Sequence, residues 1–179
     1  MGKGWCHKTG FYAEATPMQA KFVERSEINV IGIEVRTSYT EEMAGKGEIA
    51  ANWQKYYQEG IGPKIPNQRK PGVVLAVYSD YESDEKGAYS HLIGMEVSSL
   101  KEVPAGMAAR TLPPATYAVV TSECGPIPDI IIDVWKQIWS LGPEGLSGKR
   151  RAFKNDFEVY DQRSQNPKDA QVDVYLSVK

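Results

Sequence analysis

Glu158 is the residue whose type and surroundings most invite chemistry. It stands in the run DFEVYD, residues 156–161, between Phe157 and Val159. Side chains alternate along a strand, so Phe157 and Val159 share one face while Glu158 and Tyr160 share the other. A carboxylate taken out of water without a partner is strongly disfavoured or takes up a proton. A cationic guest offsets that penalty, and each aromatic face adds roughly 0.5–2 kcal/mol of cation–π attraction. The rings that the same alternation supplies are Tyr160, Tyr78 and, in the last strand, Tyr175. The ordinary alternative for a strand glutamate is solvent or a salt bridge, with Lys154, Arg163 and Arg110 at hand.

The chain contains its own comparison for this glutamate. At an offset of 82, IAANWQKYYQEG (49–60) lies over IIDVWKQIWSLG (131–142), and LAVYSD (75–80) lies over FEVYDQ (157–162). Upstream the register changes by a few residues, with MQAKFV (18–23) resembling MAARTL (107–112). Matches that recur in order over most of the chain indicate an internal duplication. Ala76 then matches Glu158, so one half carries a methyl group where the other carries a charge. Trp53 and Trp135 are also equivalent. Each has an Ile one turn earlier and an aromatic residue, Tyr57 or Trp139, one turn later, so the set shares one helical face. Most of that stripe reads as core. Pockets are also lined mainly by aromatic and apolar groups, which makes both tryptophans candidates for ligand contact.

The elements that must position these residues repeat as well. In the first repeat, residues 18–100, KFVER and NVIGIEVRT read as strands. TSYTEEM then offers caps for a helix of about 15 residues ending near Gly60. Residues 61–72 hold three prolines and read as a loop, and GVVLAVYSD and AYSHLIGMEVSS form a hairpin around YESDEKG. In the second repeat, residues 101–179, AGMAARTLP and TYAVVTSE are strands. Pro128 suits the first turn of a helix ending near Gly142, and FEVYD and QVDVYLSV follow. The expected fold is α+β: duplicated strand-strand-helix-strand-strand units with pseudo-two-fold symmetry and antiparallel sheets.

Composition narrows the function. A formal charge of -2 with 25 % charged residues gives no global field for nucleic acid or acidic membranes. The acidic turn SDYESDEKG and the basic run GKRRAFK read as solvated loops. Two cysteines and two histidines make no metal-ligand spacing, so no metal and no cofactor is expected. No apolar run reaches the roughly 18 residues of a membrane span, and MGKGWCHKTG lacks a signal-peptide core. A cytoplasmic location is the default expectation. His91, a lone strand histidine, reads as structural.

PPATYAVVTSECGPIPDIIIDVWKQIW and the ending DFEVYDQR with QVDVYLSVK resemble the gyrase-inhibitor-like (GyrI-like), AraC-type effector-binding domain of bacterial regulators, and NVIGIEVRTS, ANWQKYYQEG and LAVYSDYES fit the same family. The resemblance covers about residues 18–179. It implies a cleft between the halves and, in multidrug-responsive members, a glutamate of the penultimate strand that meets lipophilic cations among aromatic rings. The matching position is Glu158, and Tyr160, Tyr78, Trp53, Trp135 and Tyr175 are the accompanying candidates. Residues 1–17 form an N-terminal extension, disordered unless Trp5, Phe11 and Tyr12 fold against the domain, and too short for a helix-turn-helix module. The expectation is a stand-alone, non-enzymatic binding protein for an amphipathic cation, without direct DNA binding. The alternatives are a hydrolase of small electrophiles using Glu158 with Tyr160, and a gyrase-inhibitor-like protein-binding module.

Overall fold

The computed structural model describes residues 20–84, 86–141 and 146–179. Among these residues eight strands and four α-helices follow in the order β1 (Lys21–Arg25), β2 (Ile28–Ser38), α1 (Tyr39–Met43), α2 (Ile49–Gln58), α3 (Ile61–Lys64), β3 (Val74–Ser79), β4 (Ala88–Val97), β5 (Ala108–Leu112), β6 (Ala115–Thr121), α4 (Asp129–Ser140), β7 (Asp156–Tyr160) and β8 (Asp173–Ser177). The strand-strand-helix-strand-strand plan is therefore used twice. The antiparallel sheets of the two halves are continuous, forming one sheet in the order β1-β6-β8-β7-β3-β4-β2-β5.

Chain connectivity dictates the shape of that sheet. β1 and β2 lie six strand spacings apart, roughly 29 Å in a flat sheet, yet only Ser26 and Glu27 join them. Two linking residues bridge about 10 Å at most. The same holds for β5 and β6, joined by Pro113 and Pro114 across the same number of spacings. The sheet must curl until its opposite ends approach. Its helix-free face becomes an interior in which Ile28, Val30, Leu75, Val77, Leu92, Leu112, Tyr117 and Phe157 pack together with no helical residue among them. Gly32 and Gly94, paired across β2 and β4, allow the closest backbone approach; a Cβ on either would lie about 2 Å from a carbonyl oxygen of the other strand.

The helices cover the other face. Tyr56 and Ile61 pack there with Ile31, Ile33, Ile93 and Met95, while Val134, Trp135 and Ile138 of α4 pack with Ala118, Val120, Val174 and Leu176.

The first long helix differs from its expected form. It is split into α1, capped by the Ser38 hydroxyl, and α2, which has no side-chain cap of its own. Glu42 supplies one instead: its Oε1 accepts from the amides of Glu48 (2.8 Å) and Ile49 (3.2 Å) and from the Thr37 hydroxyl (2.7 Å). Gly47 is part of this device, because a Cβ there would collide with the Glu42 carboxylate. After Gly60, in the left-handed region at φ 58°, the segment expected to be loop forms the short α3. α4 ends at Ser140, and Gly142 lies outside the described residues. The N-terminal extension with Trp5, Phe11 and Tyr12 also lies outside them.

Candidate ligand-binding site

Strands β3 and β7 pair at the centre of the sheet with Ala76 directly opposite Glu158, Leu75 opposite Val159 and Val77 opposite Phe157. The internal repeat equates Ala76 with Glu158, Leu75 with Phe157 and Val77 with Val159, so the duplication maps the Leu75–Val159 pair onto the Phe157–Val77 pair and the pseudo-two-fold axis passes through Ala76–Glu158. A symmetric glutamate at 76 would set two carboxylates face to face at a cross-strand position, which is destabilising. One charge per duplicated domain is what this geometry accommodates.

Glu158 points to the helix side and is 1 % exposed. Three neutral donors surround it. Tyr78 donates its hydroxyl to Oε1 at 2.7 Å, Trp135 donates its indole N–H to the same oxygen at 2.6 Å, and Tyr160 donates its hydroxyl to Oε2 at 2.6 Å. Burial pushes the carboxyl above its ordinary range, and the three hydrogen bonds, Tyr160 first, pull the other way without overcoming it. Among the described residues no lysine or arginine pairs with it. Arg110 binds Glu34, Arg163 bridges Asp161 and Asp173, and Glu158 is neither solvent-facing nor salt-bridged.

The same strand supplies a control. Asp156, two residues away on the same face and fully buried, accepts from the Arg151 guanidinium at 2.6 Å and from the Tyr81 hydroxyl at 2.9 Å. Its other oxygen takes the Ser177 amide and hydroxyl at 2.7 and 2.8 Å. Asp156 has a cation and Glu158 has none. The sequence reading missed the Asp156 pair, although its two-residue spacing from Glu158 signals a shared face.

The two halves exchange their aromatic cover. Trp53 of α2 meets Tyr160 of the second half edge-on at 4.9 Å, and Trp135 of α4 meets Tyr78 of the first half at 5.1 Å. Tyr57, 67 % exposed, stacks on Trp53 at 5.8 Å and 18°, so an aromatic file runs from solvent through Tyr57, Trp53 and Tyr160 to the carboxylate. His91 backs the site against Tyr78 at a ring distance of 5.0 Å. Among the described residues neither of its nitrogens has a hydrogen-bond partner, and desolvation lowers its pKa to about 3, so it stays neutral.

Five of the six candidates thus converge: Glu158, Tyr160, Tyr78, Trp135 and Trp53. Tyr175 does not. It pairs with Phe157 rather than with Glu158 and stacks on that ring at 4.6 Å on the helix-free face. Extending the alternation of β7 into β8 misplaced it, because a connection of uncertain length intervenes and a one-residue slip reverses the face. Among the described residues no cluster of three or more His, Cys, Asp or Glu is placed to hold a metal, and no helix is long and apolar enough to cross a membrane.

The comparisons with known proteins agree with this architecture. The model of one protein family, Cass2, described as integron-associated effector binding protein, matches residues 21–178. The putative transcriptional regulator protein YobU of Bacillus subtilis (strain 168) is 33 % identical over 148 residues, 83 % of this chain and 90 % of that protein. The transcriptional regulator BrlR of Pseudomonas aeruginosa is 30 % identical over 165 residues, 90 % of this chain but 56 % of the regulator, so the chain spans about half its length. An integron cassette protein from Vibrio cholerae has the same fold, with a TM-score of 0.69 at 23 % identity over 90 % of this chain and 96 % of that one. So has SAV2435, solved bound to tetraphenylphosphonium, with a TM-score of 0.73 at 18 % identity over 90 % and 94 %.

Proposed function

The chain belongs to the integron-associated effector binding protein family, and we propose that it binds small lipophilic cations against Glu158 to report or sequester them. The observation that carries this reading is the contrast between the two buried carboxylates of β7: Asp156 is matched by Arg151, while Glu158 is held by neutral donors alone. A carboxylate so placed is poised between taking a proton and taking a cation. The bound structure of SAV2435 supports the choice, since tetraphenylphosphonium is a lipophilic cation on the same fold. Access requires the cover to move. Trp53 is half-buried and Tyr57 exposed, so displacing this pair opens a path to Tyr160 without disturbing the sheet.

The test titrates tetraphenylphosphonium against the whole chain while tryptophan emission is followed, with tetraphenylborate as a control of the same shape and opposite charge. The cation binds and perturbs the emission; the anion does not. Affinity rises with pH through the raised pKa of Glu158, because the ligand competes with a proton. Glu158→Gln weakens the cation by about tenfold to a hundredfold, the range for losing a charged hydrogen-bonding partner. Unchanged affinity in Glu158→Gln refutes the assignment. A hydrolytic role would need the same opening, because both oxygens of Glu158 are already engaged.

A further inference from the structure

We infer a second small-molecule site on the opposite, helix-free face of the sheet, suited to a small aromatic anion such as an aryl carboxylate. A cavity of about 230 Å³ opens there between the approaching ends of the curled sheet, lined by Arg25, Ile28, Lys70, Leu75, Phe157 and Tyr175 among others. A neighbouring pocket of about 420 Å³ shares Val73 and Asp161 with it. Ligand pockets usually occupy roughly 300–1,000 Å³, so the first cavity suits one or two rings and the second gives room for a substituent.

Its floor is aromatic. Phe157, 1 % exposed, stacks 11° from parallel with Tyr175, so the half-buried Tyr175 ring is the surface against which a planar guest can lie. Its charges are sorted by what they already bind. Asp161 and Asp173 are both held by Arg163, at 2.9 and 2.7 Å, and Glu96 lies 3.7 Å from Arg69. Among the described residues neither Arg25 nor Lys70 is in an ion pair; Arg25 rests over the Tyr175 ring at 5.6 Å, and Lys70 is exposed. Arg163 offsets only one of its two carboxylates, but with Arg69 and Arg163 included four cations stand against three carboxylates around the cavity, a balance of +1 in which Arg25 and Lys70 are the cations outside the ion pairs. A guanidinium beside an aromatic floor binds a planar carboxylate through paired N–H donors. This preference is the reverse of that argued for Glu158. The two sites lie back to back on β7, where Phe157 faces one and Glu158 the other.

The experiment titrates 2-naphthoate into the whole chain by calorimetry, with 2-naphthamide as its uncharged counterpart and hexanoate as a carboxylate without a ring. Arg25→Gln and Lys70→Gln are the variants, each checked for an unchanged melting temperature. Naphthoate binds, and the amide and hexanoate bind at least tenfold more weakly. Each variant weakens naphthoate by about tenfold or more, while Glu158→Gln leaves it unchanged. Absence of naphthoate binding at millimolar concentration overturns the inference. So does equal binding of the amide or hexanoate, indifference to both variants, or loss of binding in Glu158→Gln, which would place the guest on the helix side. Failure of the cation titration alone leaves this result standing, so the two sites are judged separately.

Discussion

His91 gives the most quantitative prediction, because its environment fixes both the sign and the size of a pH effect. The ring is 0 % exposed, lies edge-on to Tyr78, and among the described residues has no hydrogen-bond partner on either nitrogen. Desolvation alone lowers its pKa from 6.5 to about 3. Between those values the unfolded chain binds a proton that the folded chain refuses, so stability is lost as pH falls from 6.5 toward 3. At pH 5 the penalty is about 2 kcal/mol, from roughly 1.5 pH units at 1.36 kcal/mol each, and at pH 7.5 it is close to zero. That is a large share of the total stability of a domain of this size.

Glu158 acts in the opposite direction. Its folded-state pKa is raised, so its contribution is present below the ordinary carboxylate range and is lost as pH climbs through the raised value. The wild-type pH profile therefore mixes two opposing slopes, and a variant is needed to separate them. His91→Phe keeps a ring against Tyr78 and removes the titration. Urea denaturation of both proteins at pH 7.5 and pH 5, extrapolated linearly, should show the wild type losing about 2 kcal/mol more than His91→Phe over that interval. His91→Leu repeats the comparison should the larger ring strain the core. The chain has only two histidines, His7 and His91, so NMR can follow each ring directly. Equal pH losses in wild type and both variants, or a His91 titration near 6.5 in the folded protein, refute the reasoning.

Tyr160→Phe removes the hydroxyl donated to Oε2 of Glu158 and should destabilise the fold by about 1–3 kcal/mol. The loss should be larger at pH 8 than at pH 4.5, since that bond favours the charged form; a pH-independent loss contradicts it. Ala76→Glu places a second carboxylate opposite Glu158, and Ala76→Gln controls for bulk. The Glu variant should be the less stable at pH 8 and the gap should narrow on acidification, as thermal unfolding at both pH values will show. Glu42→Ala removes the cap that α2 borrows and should cost about 1 kcal/mol by urea denaturation, with amide exchange at Glu48 and Ile49 accelerating first.

The strands were readable because alternation and β-branching are local signals, and the duplicated run around Val77–Tyr78 and Val159–Tyr160 fixed the phase of the two central ones. Glu158 stood out for the same reason: its repeat partner is Ala76. Other features depend on the third dimension. The break between α1 and α2 follows from Glu42 reaching the amides of Glu48 and Ile49, a contact over several residues that no propensity encodes. Tyr175 was assigned to the wrong face because strand phase does not carry through the segment between β7 and β8, where Gln162–Ser164 forms a 3-10 turn. The indole of Trp135 could be placed near a ligand cleft from the repeat, but its role as a donor to Glu158 required the α4–β7 approach.

Duplication explains why the lone carboxylate sits where it does. At a two-fold axis in an antiparallel pair, equivalent residues from the two halves become neighbours, so any charge the ancestor carried at this position would face its own copy. Alanine at 76 leaves one carboxylate without a facing charge, while the equivalent positions of the two halves still deliver matched aromatics: Tyr78 and Tyr160 from the paired strands, Trp135 and Trp53 from the paired helices. The symmetric parts build a cage, and the single asymmetric residue gives the cage its charge. The hydrogen bonds divide unevenly as a result. Tyr78, Tyr160 and Trp135 reach the carboxylate, while Trp53 stops at the Tyr160 ring. Of the two equivalent tryptophans, Trp135 is therefore tied to the anion and Trp53 is not, which makes the α2 side the one that the proposed cation binding would displace.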